Sequence, residues 1–162
     1  MADLAALEAR IQALEDLEAI KRLKYRYLRA LDTKAWEELG ETLTDDATTE
    51  YSDGEYRFQG RDAILGFLRA TPLAQPDGFV GVHQCSQPEI ELTGPTTARA
   101  VWALYNYLIH KSAGQGLRLC AFYHDEYEKQ AGAWKIRATG YRRVFEETWS
   151  RSDTPSLRLT AG

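Results

Sequence analysis

The first third of the chain has the hydrophobic periodicity of α-helices. Apolar residues recur every three or four positions from residue 4 to residue 31, which predicts one long helix with a single apolar stripe. Similar spacings predict shorter helices at residues 34–43 and 61–69, the second of which ends before Thr71 and Pro72. A helix of about 28 residues is long for a globular protein, so we expect its first turns to project beyond the core or to pack on a second subunit.

The rest of the chain has the two-residue alternation of β-strands. Short strands are predicted at residues 48–52 and 56–58, with Asp53 and Gly54 as a favourable hairpin turn between them. Four longer strands, separated by turns with Gly or Pro, are predicted at residues 79–92, 97–110, 117–129 and 134–145. Helices followed by an antiparallel meander predict an α+β fold in one domain, residues 1–146. We expect residues 147–162 to form a tail without regular structure that lies on the surface or on a neighbour.

Composition and charge narrow the class of protein. Of the 162 residues, 44% are hydrophobic and 27% are charged, as in an ordinary globular domain. A net charge of −4 argues against nucleic acid or an anionic membrane as the partner, and no apolar run approaches the ~18 residues of a membrane span. The N-terminal segment lacks the apolar core of a secretion signal, and Cys85 and Cys120 are too few for a disulfide framework. We therefore expect free thiols and a cytoplasmic location.

Two polar residues near the end of the first predicted helix are candidates for a functional site. Asp32 lies at the C-terminal end of this helix, where the macrodipole disfavours a carboxylate. It therefore either has a functional partner or caps the following helix, and the sequence leaves both alternatives open. Tyr27 lies on the apolar stripe, and its hydroxyl needs a partner in a pocket or in the core.

Strand alternation groups further candidates. His83 and Cys85 share one face of their predicted strand, and the shift of the apolar pattern across Pro88 predicts a β-bulge, a feature that often adjoins active sites. A hydrogen-bonded structural histidine is the alternative, and a His83–Cys85 nucleophile pair is a weaker one. On the next strand Asn106 shares an otherwise apolar face with Trp102, and a buried amide needs a ligand or a neighbour such as His83. The His and Cys residues lack metal-ligand spacing, so we expect neither a metal nor a cofactor.

The aromatic residues, which make up 11% of the chain, fall into two sets by the same alternation. The first set is predicted to face inward and to line a pocket for an apolar molecule. This set comprises Tyr27, Tyr51, Phe58, Trp102 and Phe122. We expect Trp36, Cys85, Asn106 and His124 to line the same pocket. The second set is Tyr105 and Tyr107, whose strand face is too apolar for open solvent, so we expect a subunit contact there.

Five short motifs occur in an order and spacing that together are fairly specific. They are Tyr27-x4-Asp32-x3-Trp36, Leu43-Thr44-Asp45-Asp46-Ala47, Gly60-Arg61-Asp62-Ala63-Ile64, His83-x4-Pro88-Glu89-Ile90-Glu91 and Tyr127-x5-Gly132-x-Trp134-Lys135-Ile136. Over residues 14–146 the chain thus resembles the SnoaL-like group of the nuclear transport factor 2-like superfamily, which includes polyketide cyclases, scytalone dehydratase, bile-acid dehydratase and a dehydrochlorinase. The resemblance implies a cone-shaped, strongly curved mixed or antiparallel sheet, with N-terminal helices that close an apolar pocket.

The resemblance also implies roles for individual residues. Asp32 and His83 match an Asp that orients a His in the dehydratase-like members, and Tyr27 matches a pocket tyrosine. A cofactor-independent lyase or isomerase is therefore expected, in which His83 removes a proton next to a carbonyl of a small apolar polyketide-, steroid- or aromatic-like molecule. Asn106 departs from the pattern, because many relatives have an acidic residue there, and it argues against a bile-acid-type or epoxide-hydrolase-like site. The alternative is a non-catalytic binding or assembly protein of the same fold; a homodimer or homotrimer is expected in either case.

Overall fold

The computed structural model describes residues 3–161. The helices are α1 (Leu4–Asp32), α2 (Trp36–Glu41) and α3 (Arg61–Ala70). The strands are β1 (Leu43–Tyr51), β2 (Tyr56–Gln59), β3 (Phe79–Leu92), β4 (Thr97–His110), β5 (Gln115–Gln130) and β6 (Ala133–Ser150). This mixture of helices and a single sheet confirms the predicted α+β class. None of the helices in the described range is both long and apolar enough to cross a membrane.

The six strands form one curved, mixed sheet in the order β2-β1-β6-β5-β4-β3. All neighbouring strands are antiparallel except β1 and β6, which are parallel. The β3–β4 ladder shifts register between Ser86 and Glu89, which confirms the bulge predicted around Pro88. Two further register shifts occur in the β5–β6 ladder. Bulges of this kind bend a sheet, and the bend lets one face of the sheet wrap around α1.

The hydrophobic core lies between the helices and the inner face of the sheet. α1 contributes Ile20, Tyr27 and Leu31 to it, and the sheet contributes Trp102 and Ile136, none of them more than 4% exposed. Inward and outward residues alternate along β4 and β5, as expected for a sheet with one covered face. The core thus fixes the end of α1 against the sheet.

Several element boundaries differ from the prediction, most of all the start of β1 and the end of β6. α2 ends at Glu41 and β1 begins at Leu43, because Leu43 pairs in parallel with Ile136 of β6. β6 extends to Ser150, so residues 147–150 of the predicted tail are strand. They pair with the start of β5 from Gln115, and this long-range pairing satisfies backbone groups in a segment that has no apolar period of its own. The predicted domain and tail include residues 1, 2 and 162, which lie outside the described residues.

The apolar residues of α1 lie on two different sides of the helix. Leu4, Leu7, Ile11 and Leu14 are 66%, 45%, 48% and 67% exposed, whereas Ile20 is fully buried. The predicted single stripe is therefore wrong. Each spacing of three falls about 60° short of a full turn, so the repeated threes between residues 14 and 23 rotate the pattern by about 180°. The first turns of α1 consequently project from the domain with an apolar side that faces away from the core.

Candidate active site

Asp32 and His83 are joined by two hydrogen bonds between the end of α1 and the edge strand β3. Asp32 Oδ1 lies 2.6 Å from Nδ1 of the His83 ring, and the His83 backbone N–H donates to Asp32 Oδ2 at 2.9 Å. The side chains of His83 and Asp32 are 8% and 13% exposed. Among residues 3–161, β3 is an edge strand with no neighbour on its outer side, so the carboxylate supplies the acceptor that a neighbouring strand would otherwise give this N–H.

This geometry excludes one of the two alternatives for Asp32, a cap on the following helix. The residue that caps α2 is Ala35, which makes no side-chain hydrogen bond, so Asp32 does not cap that helix. With Nδ1 directed at the carboxylate, a neutral His83 ring carries its proton on Nδ1 and leaves Nε2 as the unprotonated nitrogen. The pair thus has the arrangement of a carboxylate-oriented histidine base.

Tyr27 and Tyr51 form a second buried pair. Their hydroxyl oxygens are 2.7 Å apart, and the two residues are 0% and 7% exposed. Burial raises the pKa of both phenols well above the ordinary value, so both are protonated at neutral pH. Because one hydroxyl donates to the other, the pair retains one O–H that can donate to a third group.

Asn106 of β4 lies directly across the ladder from His83 of β3. The His83 N–H is directed at Asp32 rather than at β4, so the two residues form a non-hydrogen-bonded pair, whose Cβ atoms are about 4.5–5.5 Å apart in antiparallel sheets. Asn106 is only 4% exposed. Within residues 3–161 its Oδ1 is buried and has no hydrogen-bond partner. The amide oxygen is therefore an unused acceptor beside the Asp32–His83 pair.

A buried ion pair, which the sequence analysis did not single out, lies in the same interior. Lys24 Nζ is 2.7 Å from Asp125 Oδ2, and both side chains are fully buried. Asp125 also accepts hydrogen bonds from the hydroxyls of Tyr127 and Thr139, each at 2.7 Å. The Lys24 ammonium lies 3.5 Å from the ring centroid of Tyr123, a cation–π contact. The network ties α1 to β5 and β6.

The sequence contains the signal for this ion pair. Lys24 follows Ile20 by four positions and precedes Tyr27 by three, which places it on the buried side of α1. Asp125 alternates with Tyr123 and Tyr127, which places it on their strand face. On charge alone, Lys24 and Asp125 would both be expected at the protein surface.

Trp102 and Cys85 face the interior, as predicted. Trp102 is fully buried, and its Nε1 donates to the Tyr127 hydroxyl at 3.0 Å. Burial raises the pKa of the Cys85 thiol to about 11; the Lys24 ammonium opposes this shift and Asp125 adds to it. Both cysteines are free, and Cys85 is a thiol at neutral pH, which disfavours a nucleophilic role.

Trp36 and Phe58 belong to the part of the molecule around α2 and α3. Phe58 stacks on Phe67 of α3, with ring centroids 4.3 Å apart. Phe67 also stacks on Tyr51 at 6.4 Å, so this aromatic cluster reaches the tyrosine pair rather than His83. Trp36, at the start of α2, is half-buried, and the Arg69 guanidinium lies 6.0 Å from its ring centroid.

Phe122 and His124 lie on the outer face of the sheet, so the prediction that they face the interior is wrong. Phe122 pairs with Ala103 and His124 with Val101, and these residues alternate with the buried Trp102. Phe122 is accordingly 45% exposed. Both faces of β5 carry aromatic residues, and a two-residue period alone does not say which face meets the helices.

Two concavities of residues 3–161 are lined by residues other than Asp32 and His83. The larger, of about 980 Å³, lies on the outer face and is lined mainly by charged and polar residues that include His124. The smaller, of about 410 Å³, lies between α1 and the β5–β6 turn. The apolar pocket predicted behind the sheet is neither of these. The described residues contain no group of three or more His, Cys, Asp or Glu side chains that could hold a metal ion.

Comparison with known sequences decides the family. The sequence model of the SnoaL-like domain matches residues 12–140. The chain belongs to the SnoaL-like domain family. The matched region of this SnoaL-like chain runs from the third turn of α1 to the middle of β6. Both Asp32 and His83 lie within the matched region.

Several solved structures have the same fold as this SnoaL-like protein. A scytalone dehydratase candidate from Novosphingobium aromaticivorans is 22% identical, with a TM-score of 0.77 over 85% of this chain and 90% of that one. The hexachlorocyclohexane dehydrochlorinase LinA-type3 from Novosphingobium barchaimii is 18% identical, with a TM-score of 0.77 over 86% and 94%. An NTF2-like protein with a cystatin-like fold from Novosphingobium aromaticivorans is 21% identical, with a TM-score of 0.74 over 98% and 99%. At these identities the likeness establishes the fold.

Proposed function

We propose that this protein is a cofactor-independent lyase or isomerase that removes a proton next to a carbonyl group of a small, largely apolar molecule. The observation that carries the proposal is the 2.6 Å contact between Asp32 Oδ1 and His83 Nδ1. It leaves Nε2 as the basic atom of the neutral ring. A histidine held in this way accepts a proton without a cofactor, and the nearby carboxylate stabilises the imidazolium that results.

The proposed reaction begins when His83 Nε2 takes the proton from the carbon next to the carbonyl. The electron pair of the broken C–H bond forms an enolate, and Asp32 stays ionised beside the imidazolium. The O–H that the Tyr27–Tyr51 pair retains donates to the enolate oxygen. In a dehydration, the enolate expels a hydroxyl from the β-carbon, which leaves as water with the proton from His83. In an isomerisation, the imidazolium returns the proton to another carbon of the enolate system.

Asn106 and the apolar residues around the pair form the proposed substrate-binding surface. Asn106 faces His83 and has an unused amide oxygen, so it accepts a hydrogen bond from a hydroxyl of the substrate or orients the leaving group. Trp102 and Cys85 contribute buried apolar surface on the same side of the sheet. Trp36, Tyr51 and Phe58 extend it towards α2 and α3. Such surroundings favour a polyketide-, steroid- or aromatic-like molecule.

The comparisons support elimination chemistry as the class of reaction. The names dehydratase and dehydrochlorinase both denote an elimination, of water in one protein and of hydrogen chloride in the other. Proton removal by a base is the first requirement that these two eliminations share. The proposal carries this shared step to the present chain and does not carry over either substrate.

We also propose that the protein forms a homodimer or homotrimer through the outer face of the sheet. Val82, Tyr105, Tyr107 and Phe122 are 57%, 37%, 37% and 45% exposed on this face. Aromatic residues at such exposure are typical of protein interfaces. A Tyr105→Glu/Tyr107→Glu variant should lower the mass that light scattering measures, because two charges would then be buried in the interface.

A non-catalytic ligand-binding or assembly protein is the second candidate. The observation that favours it is that the two concavities described above are lined by residues other than Asp32 and His83. On this hypothesis the two residues are a structural link between α1 and β3.

Hydrogen–deuterium exchange at carbon separates the two candidates. The protein would be incubated in D₂O with a panel of apolar ketones that includes cyclohexanone, indanone and tetralone, together with any small molecule that mass spectrometry finds bound after native purification. Enolisation by His83 introduces deuterium next to the carbonyl, whichever group would later leave. Deuterium uptake above the protein-free rate supports catalysis. Binding of a compound without deuterium uptake would support the second candidate.

A further inference from the structure

The first turns of α1 form an apolar helical projection that the domain itself does not cover. Leu4, Leu7, Ile11 and Leu14 are 45% to 67% exposed. The helix begins with a cap, because the Asp3 side chain accepts a hydrogen bond from the Ala5 backbone N–H at 3.1 Å. Residues 4–14 thus extend as formed helix, about 16 Å long at 1.5 Å per residue.

The projection is anchored where it meets the domain. Asp16 accepts hydrogen bonds from Lys129 Nζ at 2.7 Å and from Trp134 Nε1 at 2.9 Å. On the C-terminal side of Asp16, α1 packs on the domain with the face that carries Ile20 and Tyr27. At about 100° per residue, the exposed side chains between Leu4 and Leu14 point away from that side. They therefore cannot reach the sheet of their own chain.

The spacing of the exposed residues is that of a coiled coil. Residues 4, 7, 11 and 14 occupy successive a and d positions of a seven-residue repeat. A coiled coil of two repeats is short, and an isolated peptide of this length would not hold a helix. Here the helix is already formed and anchored, so association does not have to offset the entropy of folding it.

The charges beside the apolar side favour a second copy in parallel orientation. In a parallel pair, Arg10 at a g position lies near the following e position, Glu15 of the partner subunit, which gives opposite charges. The preceding g and e positions, Asp3 and Glu8, carry like charges, but the Asp3 side chain is held back by its bond to the Ala5 N–H. An antiparallel pair would instead place Arg10 near Arg10 of the partner subunit and Glu8 near Glu8 of the partner subunit. An anionic membrane is disfavoured, because Asp3, Glu8 and Glu15 flank the same turns.

We propose that residues 4–14 of α1 pair with the same residues of a second copy of this chain in a parallel two-stranded coiled coil. This interface is separate from the outer face of the sheet and does not depend on the proposed catalytic function. Because it is short, its association is weak and depends on concentration. The two domains then lie on the outer sides of the helix pair, since each domain covers the opposite side of its own α1.

The test compares two variants by light scattering and sedimentation from low-micromolar to high-micromolar concentration. Leu7→Glu/Leu14→Glu places two charges in the helix pair, and Ala6→Glu/Ala9→Glu places the same two charges on exposed positions on the other side of the same turns. The first variant is expected to halve the mass that the wild type reaches, and the second is expected to leave it unchanged. Equal mass for Leu7→Glu/Leu14→Glu and wild type would overturn the proposal.

Crosslinking tests the orientation. In a Cys120→Ala background, a parallel pair brings the Leu7→Cys side chains of the two copies together, so mild oxidation is expected to give a disulfide-linked dimer. An antiparallel pair would place residue 7 opposite residue 11, and a disulfide that forms only between Leu7→Cys and Ile11→Cys copies would overturn the parallel arrangement. Loss of mass in Leu7→Glu/Leu14→Glu without either disulfide would show that the turns dock elsewhere, which would also overturn it.

Discussion

The carboxylate of Asp32 holds His83 by its ring and by its backbone at the same time. One oxygen lies 2.6 Å from Nδ1 and the other accepts the His83 N–H at 2.9 Å. The ring orientation is therefore tied to the position of the strand, and both are tied to the end of α1.

Asp32→Ala should lower the free energy of unfolding by about 1–3 kcal/mol, because it leaves the His83 ring nitrogen and backbone N–H without a buried partner. Asp77→Ala, at an exposed position, is the matched control and should change little. Urea unfolding followed by circular dichroism measures both. An Asp32→Ala protein as stable as the control would show that the two hydrogen bonds contribute nothing.

Lys24→Met should destabilise the fold by about 3–5 kcal/mol, because Asp125 then remains buried as an unpaired charge. Lys24→Met/Asp125→Asn should recover part of this loss, since the amide removes the charge and can still bond to Tyr127 and Thr139. The same unfolding measurement applies. A double variant that is less stable than Lys24→Met would contradict the explanation by unpaired charge.

Asn106→Leu should leave stability unchanged or raise it, by up to about 1–3 kcal/mol, because it removes an amide oxygen that has no partner. Thr139→Val is the contrasting control. Its hydroxyl donates to Asp125 at 2.7 Å, so its loss should lower stability. If Asn106→Leu unfolded as easily as Thr139→Val, the amide would have a structural partner after all and would not be reserved for a ligand.

Stability should fall as the pH rises above about 10. Burial raises the pKa of Tyr27, Tyr51 and Tyr123 above the ordinary value of 10.0. Above pH 10 the unfolded chain loses phenolic protons that the folded chain keeps, so a rise in pH favours unfolding. These tyrosines therefore contribute their full stability only below about pH 10. Each such tyrosine adds a slope of about 1.4 kcal/mol per pH unit.

Tyr27→Phe should therefore make the fall in the free energy of unfolding shallower, by the roughly 1.4 kcal/mol per pH unit that one tyrosine contributes. The measurement is the free energy of unfolding between about pH 8 and pH 11, with absorbance at the phenolate band as a check on ionisation. Tyr25→Phe is the control, because Tyr25 is 47% exposed. An unchanged slope in Tyr27→Phe would mean that Tyr27 ionises in the folded protein as readily as in the unfolded one.

Much of the fold followed from local patterns in the sequence. Two-residue alternation located the four long strands, and Pro88 marked the bulge in β3 because its nitrogen cannot donate to a ladder. The end of β6 was not predictable in this way. Residues 147–150 become strand only because they pair with β5, and no local period encodes a long-range partner.

The sequence also allowed some residues of the candidate site to be predicted and not others. Asp32 and His83 could be named because motif order placed them, and the structure brings them into contact. Phe122 and His124 were assigned to the wrong face, because alternation gives the period of a strand but not the side that the helices cover. Lys24 was overlooked because its charge outweighed its position on the buried side of α1.

Carbon-bound deuterium exchange in matched histidine variants tests the central proposal most directly. On a ketone that the wild type enolises, His83→Ala should lose at least ~10²-fold in exchange rate, as expected when a general base is removed. His124→Ala removes an exposed histidine from the outer face and should exchange like the wild type. If His83→Ala incorporated deuterium as fast as His124→Ala, the proposal that His83 is the base would be wrong.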